Sequence, residues 1–183
     1  KQPWYMGETV IASIGQGYDL VTPMQVARYT AMLATSKLPT PYMAREVDGK
    51  HIVPELKTID LNPGYLSEIR GGMYDVCNSR KGTAYRAMSK LPIVVAGKTG
   101  TSQVASIPQS TKKRLKESQL AYFLRSHAWL TTYAPFEDPK YIVTILVEHG
   151  GHGGSTAGPI AADIYKWLDG NGYFTDADRK AEK

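Results

Sequence analysis

The chain has 183 residues with a formal net charge of +5, and 42% of them are hydrophobic, enough to fill the core of one domain or of part of a larger one. A single cysteine, Cys77, excludes an internal disulfide and a multi-cysteine zinc site, and no apolar run reaches the ~18 residues that a membrane-spanning helix needs. The basic balance suits anionic partners (wall polymers, acidic membrane surfaces, nucleic acid) and does not choose among them. No basic-then-apolar leader is visible, and the first residue is Lys1 rather than Met, which sets the expectation of a fragment or a processed product.

In chain order, the first start signal is Thr22-Pro23-Met24-Gln25. Thr22 can cap, Pro23 suits the first helical position and Gln25 closes a capping box. Met24, Ala27, Ala31 and Ala34 recur at helical spacing, so 23–36 reads as a helix. Residues 37–60 hold Pro39, Pro41, Asp48-Gly49 and Pro54 and read as a connection, with a short strand pair within 42–47 and 50–53. Asn62-Pro63 starts a second helix, carried by Leu66, Ile69, Met73 and Val76 and ended at Lys81-Gly82. Residues 92–99 are apolar almost throughout and read as a central strand. Residues 127–134 and 140–148 read as two more strands, joined by a hairpin turn over 135–139. Residues 150–154 read as a flexible glycine-rich connection. A last helix is expected over 156–168 with Ile160, Ile164, Trp167 and Leu168 on its buried face. Residues 171–183 read as a polar, mobile tail. Three consecutive strands with short or looped joins favour an α+β arrangement, an antiparallel sheet flanked by helices, with further sheet expected from residues outside the chain. The insertion 102–126 reads as a solvated loop or short surface helix.

The segment with most chemical content is Lys98-Thr99-Gly100-Thr101, placed by this reading at the end of a strand. A lysine ammonium lowers the energy of a nearby carboxylate and biases proton positions. The Thr99 and Thr101 hydroxyls can donate to that carboxylate. Gly100 lets a ligand lie against the strand edge, and the Thr101 N–H can stabilise an oxyanion. Together these residues describe the carboxylate-binding side of an acyl-transfer site.

Lys98-Thr99-Gly100 resembles the third signature of penicillin-binding proteins and serine β-lactamases. The resemblance extends over most of residues 4–168. Residues 7–34, with Gly15-Gln16-Gly17 ahead of the Thr-Pro helix start, are similar to the stretch after the second active-site motif of class B penicillin-binding proteins. Residues 80–87 resemble the Gly-Thr-Ala segment that precedes the third motif. Residues 127–135 and 147–164 resemble the last two strands and the C-terminal helix. The insertion after Thr101 is closer to the cell-elongation subgroup, penicillin-binding protein 2, than to the division subgroup. The resemblance implies the penicillin-binding and serine β-lactamase-like fold, with residues 1–170 as the C-terminal part of a transpeptidase domain. It also implies peptidoglycan D,D-transpeptidation without a cofactor or metal. Lys98 and Thr101 would be catalytic, with Lys98, Thr99, Gly100 and Thr101 binding substrate. Implied partners are stem peptides, β-lactams, a membrane glycosyltransferase and a rod-shape scaffold protein. The implied place is the periplasmic side of the inner membrane, with the anchor outside the chain.

The family nucleophile sits in a Ser-x-x-Lys motif at the start of a buried helix, with a Ser-x-Asn motif after it. The chain has no Ser-x-Asn, and its one Ser-x-x-Lys, Ser110 to Lys113, lies in a polar insertion after Lys98. The nucleophile is therefore expected on a companion N-terminal segment. His149 and His152 could ligate a metal but lack a third partner and read as cleft-lining. His127 reads as a structural histidine, Cys77 as a small core residue, and Trp4 and Tyr5 as packing. A non-enzymatic basic module rests on Lys112-Lys113-Arg114 alone, with no interleaved aromatics, so nucleic acid is not expected as a partner. A carboxypeptidase or β-lactamase of the same fold remains the alternative reaction.

Overall fold

The computed structural model describes residues 3–104 and 115–180. Ser110 and the Lys112-Lys113-Arg114 run lie outside the described residues. The elements are α1 (Met6–Ala12), α2 (Pro23–Thr35), β1 (Lys37–Pro39), β2 (Glu46–Val47), β3 (Lys50–His51), β4 (Leu56–Thr58), α3 (Pro63–Asn78), α4 (Tyr85–Met88), β5 (Ala96–Ser102), β6 (His127–Ala134), β7 (Tyr141–Val147) and α5 (Gly153–Gly170). β5, β6 and β7 form an antiparallel sheet in that order. β1 pairs with β4 and β2 with β3 in two small ribbons, and the second of these is the hairpin expected within 42–53.

The start signals work as their chemistry requires. Thr22 accepts from the Gln25 N–H at 3.2 Å while the Gln25 side chain accepts from the Thr22 N–H at 2.8 Å, a reciprocal capping box. Asn62 caps α3 through the N–H groups of Gly64 and Tyr65. α3 stops at Asn78, short of the expected Lys81. The chain doubles back there, with the Ala84 N–H donating to Val76 O at 3.0 Å. A side chain at Gly82 would lie 2.3 Å from Asp75 O, so only glycine permits that turn.

The sheet is covered on both faces. Leu130, Ile93 and Val95 pack with Ala157, Ala161 and Tyr165 of α5. On the opposite face, Tyr133 and Ala96 pack with Ala34 of α2 and Met73 of α3. Polar ladders tie each layer to the sheet. The Thr132 hydroxyl donates to Val143 O at 3.1 Å and pairs with the Tyr165 hydroxyl at 2.9 Å. The Thr131 hydroxyl pairs at 2.8 Å with Thr30 of α2 and at 2.8 Å with Thr144 of β7.

Four expectations need correction. The first strand is Ala96–Ser102 rather than 92–99. The register sets Ala96 opposite Tyr133, so residues 94 and 95 face the end of β6, where Pro135 has no N–H to give a ladder. Ile93 and Val95 are buried as core and do not pair with β6; Ile93 makes only an isolated bridge to Arg179. The last helix begins at Gly153, inside the glycine-rich run read as flexible. Its buried face is Ala157, Gly158, Ala161, Ala162 and Tyr165, while Ile160, Ile164 and Trp167 are 44%, 38% and 58% exposed. Small residues let α5 approach the sheet and α4 closely; Leu168 packs against the core as expected, while Ile160, Ile164 and Trp167 face outward. The expected mobile tail is anchored as far as residue 180. Phe174 is 3% exposed, Lys140 pairs with Asp178 at 2.7 Å, and Ile93 bridges to Arg179.

Candidate active site

β5 holds the Lys98-Thr99-Gly100-Thr101 segment in mid-strand, not at its end. Among the described residues only β6 pairs with it, so its other edge is open. Strand alternation divides the segment between two faces. Thr99 and Thr101 lie opposite Leu130 and Ala128, on the α5 face, and Lys98 lies opposite Thr131, on the α2 face. Lys98 is exposed, and its ammonium donates to Thr99 O at 2.6 Å. The Gln16 side-chain amide donates to Thr101 O at 3.0 Å, across 85 residues of sequence. Two carbonyls spaced two residues apart thus accept side-chain bonds on the edge that β6 leaves open. In an antiparallel strand a residue's N–H and C=O point to the same edge, so the Thr101 N–H also faces outward. Gly100 packs on Trp129, where an added Cβ would sit 3.1 Å from Trp129 Cβ.

Behind this edge the support is close-fitting. The Thr99 hydroxyl pairs with that of Thr83 at 2.8 Å. The first turn of α5 presses on both segments. A Cβ at Gly153 would lie 2.0 Å from Trp129 O and 2.8 Å from Gly100 O, and one at Gly154 would lie 2.1 Å from Thr83 O. These two glycines let a helix start reach the back of the motif strand.

The loop before α5 is latched. The His149 N–H donates to His127 Nδ1 at 2.8 Å, so that nitrogen carries no proton, and the two rings meet edge-on with centroids 4.8 Å apart. The Gly151 N–H donates to Ser126 O at 2.8 Å, and Thr156 Oγ1 donates to Gly150 O at 2.7 Å. Glu117, from the insertion, accepts from the Ser126 N–H and hydroxyl at 2.9 Å each. The His149 ring packs on Tyr122 and His127, with its Nδ1 3.2 Å from Arg125 O. His152, Thr101, Lys116 and Ser155 line an open pocket of about 870 Å³ beyond the end of β5. No group of three or more His, Cys, Asp or Glu that could hold a metal occurs among the described residues. Cys77 is fully buried, and burial pushes its thiol up to about 12, so it is no nucleophile at neutral pH.

Sequence reasoning brought Lys98, Thr99, Gly100 and Thr101 to one strand edge. It read His127 as structural, which its bond from the His149 N–H fits, and assigned no individual role to the side chains of Gln16 and Thr83. Each acts through a partner remote in sequence, and no spacing rule registers such a contact.

The family model described as penicillin binding protein transpeptidase domain matches residues 1–166. The chain is 37% identical over 171 residues to the peptidoglycan D,D-transpeptidase MrdA of Haemophilus influenzae, covering 90% of this chain and 26% of that protein. It is 33% identical over 160 residues to MrdA of Escherichia coli, covering 84% and 25%. Among solved structures, the complex of PBP2 and MreC from Helicobacter pylori matches with 42% identity and a TM-score of 0.78, over 94% of this chain and 29% of the other. Pseudomonas aeruginosa PBP2 in complex with WCK 5153 matches with 32% identity and a TM-score of 0.75, over 98% and 37%. The chain spans about a quarter of the length of the curated relatives it matches.

Proposed function

The chain belongs to the penicillin-binding protein transpeptidase domain family, and on that premise we propose that it forms the carboxylate-binding part of a peptidoglycan D,D-transpeptidase of the cell-elongation type. The single observation that carries this reading is the edge of β5 left unpaired among the described residues, along which Lys98-Thr99-Gly100-Thr101 runs with the Thr101 N–H facing outward.

A serine from a companion N-terminal segment attacks the penultimate D-Ala carbonyl of a stem peptide. A C–O bond forms, the bond to the terminal D-Ala nitrogen breaks, and D-Ala leaves with a proton. An amine of a neighbouring stem then attacks the ester carbonyl, forms the new amide and returns the serine hydroxyl. Lys98, with the Thr99 and Thr101 hydroxyls, holds the terminal carboxylate of the donor. The Thr101 N–H is one donor to the tetrahedral oxyanion, positioned before the charge develops. β-Lactams enter by the same route, as carboxylate-bearing amides that acylate the serine. The expected setting is the periplasmic face of the inner membrane, with a scaffold protein and a membrane glycosyltransferase as partners. The scaffold is supported by the Helicobacter pylori relative, which was solved with MreC.

Fluorescent penicillin labelling of the intact protein, followed by mass mapping, tests this. A label on a serine outside residues 1–183 is expected. A label on Ser110 would reassign the nucleophile, and no label under conditions that label a known transpeptidase would end the proposal.

A further inference from the structure

Directly behind the motif strand is a second cavity of about 700 Å³, lined by Arg80, Thr83, Tyr85, Arg86 and Ser155. Its wall is shared with the site on β5, because the Thr83 hydroxyl bonds to that of Thr99 at 2.8 Å. Both arginines are exposed, and neither has an ion pair or hydrogen bond among the described residues. No Asp or Glu lines the cavity. No Asp or Glu occurs between Asp75 and Glu117, while Arg80, Lys81, Arg86 and Lys90 crowd the segment that leads to β5. The first turn of α5, which closes the cavity, also lacks an acid. The segment is not loose surface. Ala84 and Met88, each 1% exposed, pin it between α3 and α5, and close backbone approach at Gly82 and at Gly154 fixes its start.

Resting on the transpeptidase reading above, we propose that Arg80 and Arg86, with Thr83 and Ser155, form a second anion-binding pocket. It takes a carboxylate carried by the acidic peptide upstream of its C-terminal one. Two guanidinium groups facing a cavity with no carboxylate of their own are matched to a carboxylate, which they can grip through paired N–H donors. The two hydroxyls supply further donors. The shared Thr83–Thr99 wall sets the pocket one side chain away from the place of the terminal carboxylate. One peptide can therefore reach both sites, and the pocket selects peptides that carry a second acid.

The test uses the intact enzyme and two synthetic peptides ending in D-Ala-D-Ala. One carries a free side-chain carboxylate upstream, and in the other that carboxylate is amidated. The readout is the ratio of their kcat/KM values for release of D-Ala. For the double variant Arg80→Gln/Arg86→Gln, the preference for the acidic peptide is expected to fall by about tenfold, the scale of one charge-assisted contact. Arg80→Lys/Arg86→Lys, which keeps the charge, should retain part of it. Thermal unfolding of each variant shows whether it is folded. An unchanged ratio, or an equal loss on both peptides, overturns the proposal. Failure of the wild type to label with penicillin would instead count against the transpeptidase reading itself, so the two failures are distinct.

Discussion

Replacing Gly153 by alanine adds one methyl group at the point where α5 meets the motif strand. The new Cβ would lie 2.0 Å from Trp129 O and 2.8 Å from Gly100 O, both backbone atoms that no rotamer change can move. Ordinary contact begins at 3.4 Å, so the helix start or the strand must shift by roughly 1.4 Å. Overpacking of this kind typically costs about 1–3 kcal/mol, and a backbone obstruction sets this case at about 3 kcal/mol or more. The shift falls on Gly100, at the centre of the open edge, so acylation by penicillin should fall as well, by about tenfold or more. Gly72→Ala is the matched control. Gly72 lies inside α3 with nothing within 4 Å of its missing Cβ, so the same chemical change should stabilise by about 0.5–1 kcal/mol. Thermal unfolding and stopped-flow acylation of the intact protein read both quantities. Equal melting temperatures and equal acylation rates for the two variants would show that the close approach of α5 to β5 is not tight in solution.

Tyr165→Phe should destabilise by about 1 kcal/mol, because Thr132 keeps its bond to Val143 O. Thr132→Val should cost more, about 2 kcal/mol, because it leaves the buried Tyr165 hydroxyl unpaired; chemical denaturation that ranks the two in reverse would contradict this hydrogen-bond direction. Cys77 should resist thiol reagents at pH 8 in the native protein and react after denaturation, since burial raises its pKa; rapid native labelling would mean that the core around it opens. Lys140, donating to Asp178, holds that carboxyl down at about 2 from its ordinary 3.8. A depressed carboxyl stabilises the fold above its unfolded pKa and loses that contribution as pH falls towards the folded value. The C-terminal anchor should therefore loosen from about pH 4 towards pH 2, seen in the fluorescence of Trp167 beside Tyr173. Lys140→Ala should move that transition up towards the ordinary carboxylate range; an unmoved midpoint would assign it to another group. Gln16→Ala should slow acylation by severalfold and destabilise by about 1 kcal/mol, by loss of one hydrogen bond to the motif strand; unchanged acylation would show that this bond does not position the edge.

Local chemistry was legible wherever a short-range rule decides structure. The Thr22–Gln25 capping box, the Asn62-Pro63 start and the β6–β7 hairpin need only neighbours in sequence, and each formed where its residues demand. Long-range fit was not legible. In α5 the larger apolar residues look like the core face. Close packing against the sheet selects Ala157, Ala161 and Ala162 instead, which no hydrophobicity count ranks first. The same limit applies to β5. Its apolar run ends where the motif begins, and only the register against Tyr133 and Pro135 shows that pairing starts at Ala96. The tail was misjudged for a related reason. Its polar average hides Phe174, one side chain that docks on Tyr141 and Tyr165. At the site, the motif residues were visible as a string, but the contacts that hold their strand, from Gln16 and Thr83, are properties of the folded chain.

The most direct measurement is the second-order rate of acylation by a carboxylate-bearing penicillin and by its carboxyl ester, in the intact wild-type protein and in Lys98→Ala. Lys98 is exposed and fills no core, so the variant should unfold within about 0.5 kcal/mol of wild type. The rate with the free carboxylate should fall by about 10²-fold or more, and the rate with the ester by much less, since the ester offers no charge for the ammonium to hold. Equal rates in wild type and variant with the free acid would contradict the assignment of the β5 edge as the carboxylate-binding side of a transpeptidase.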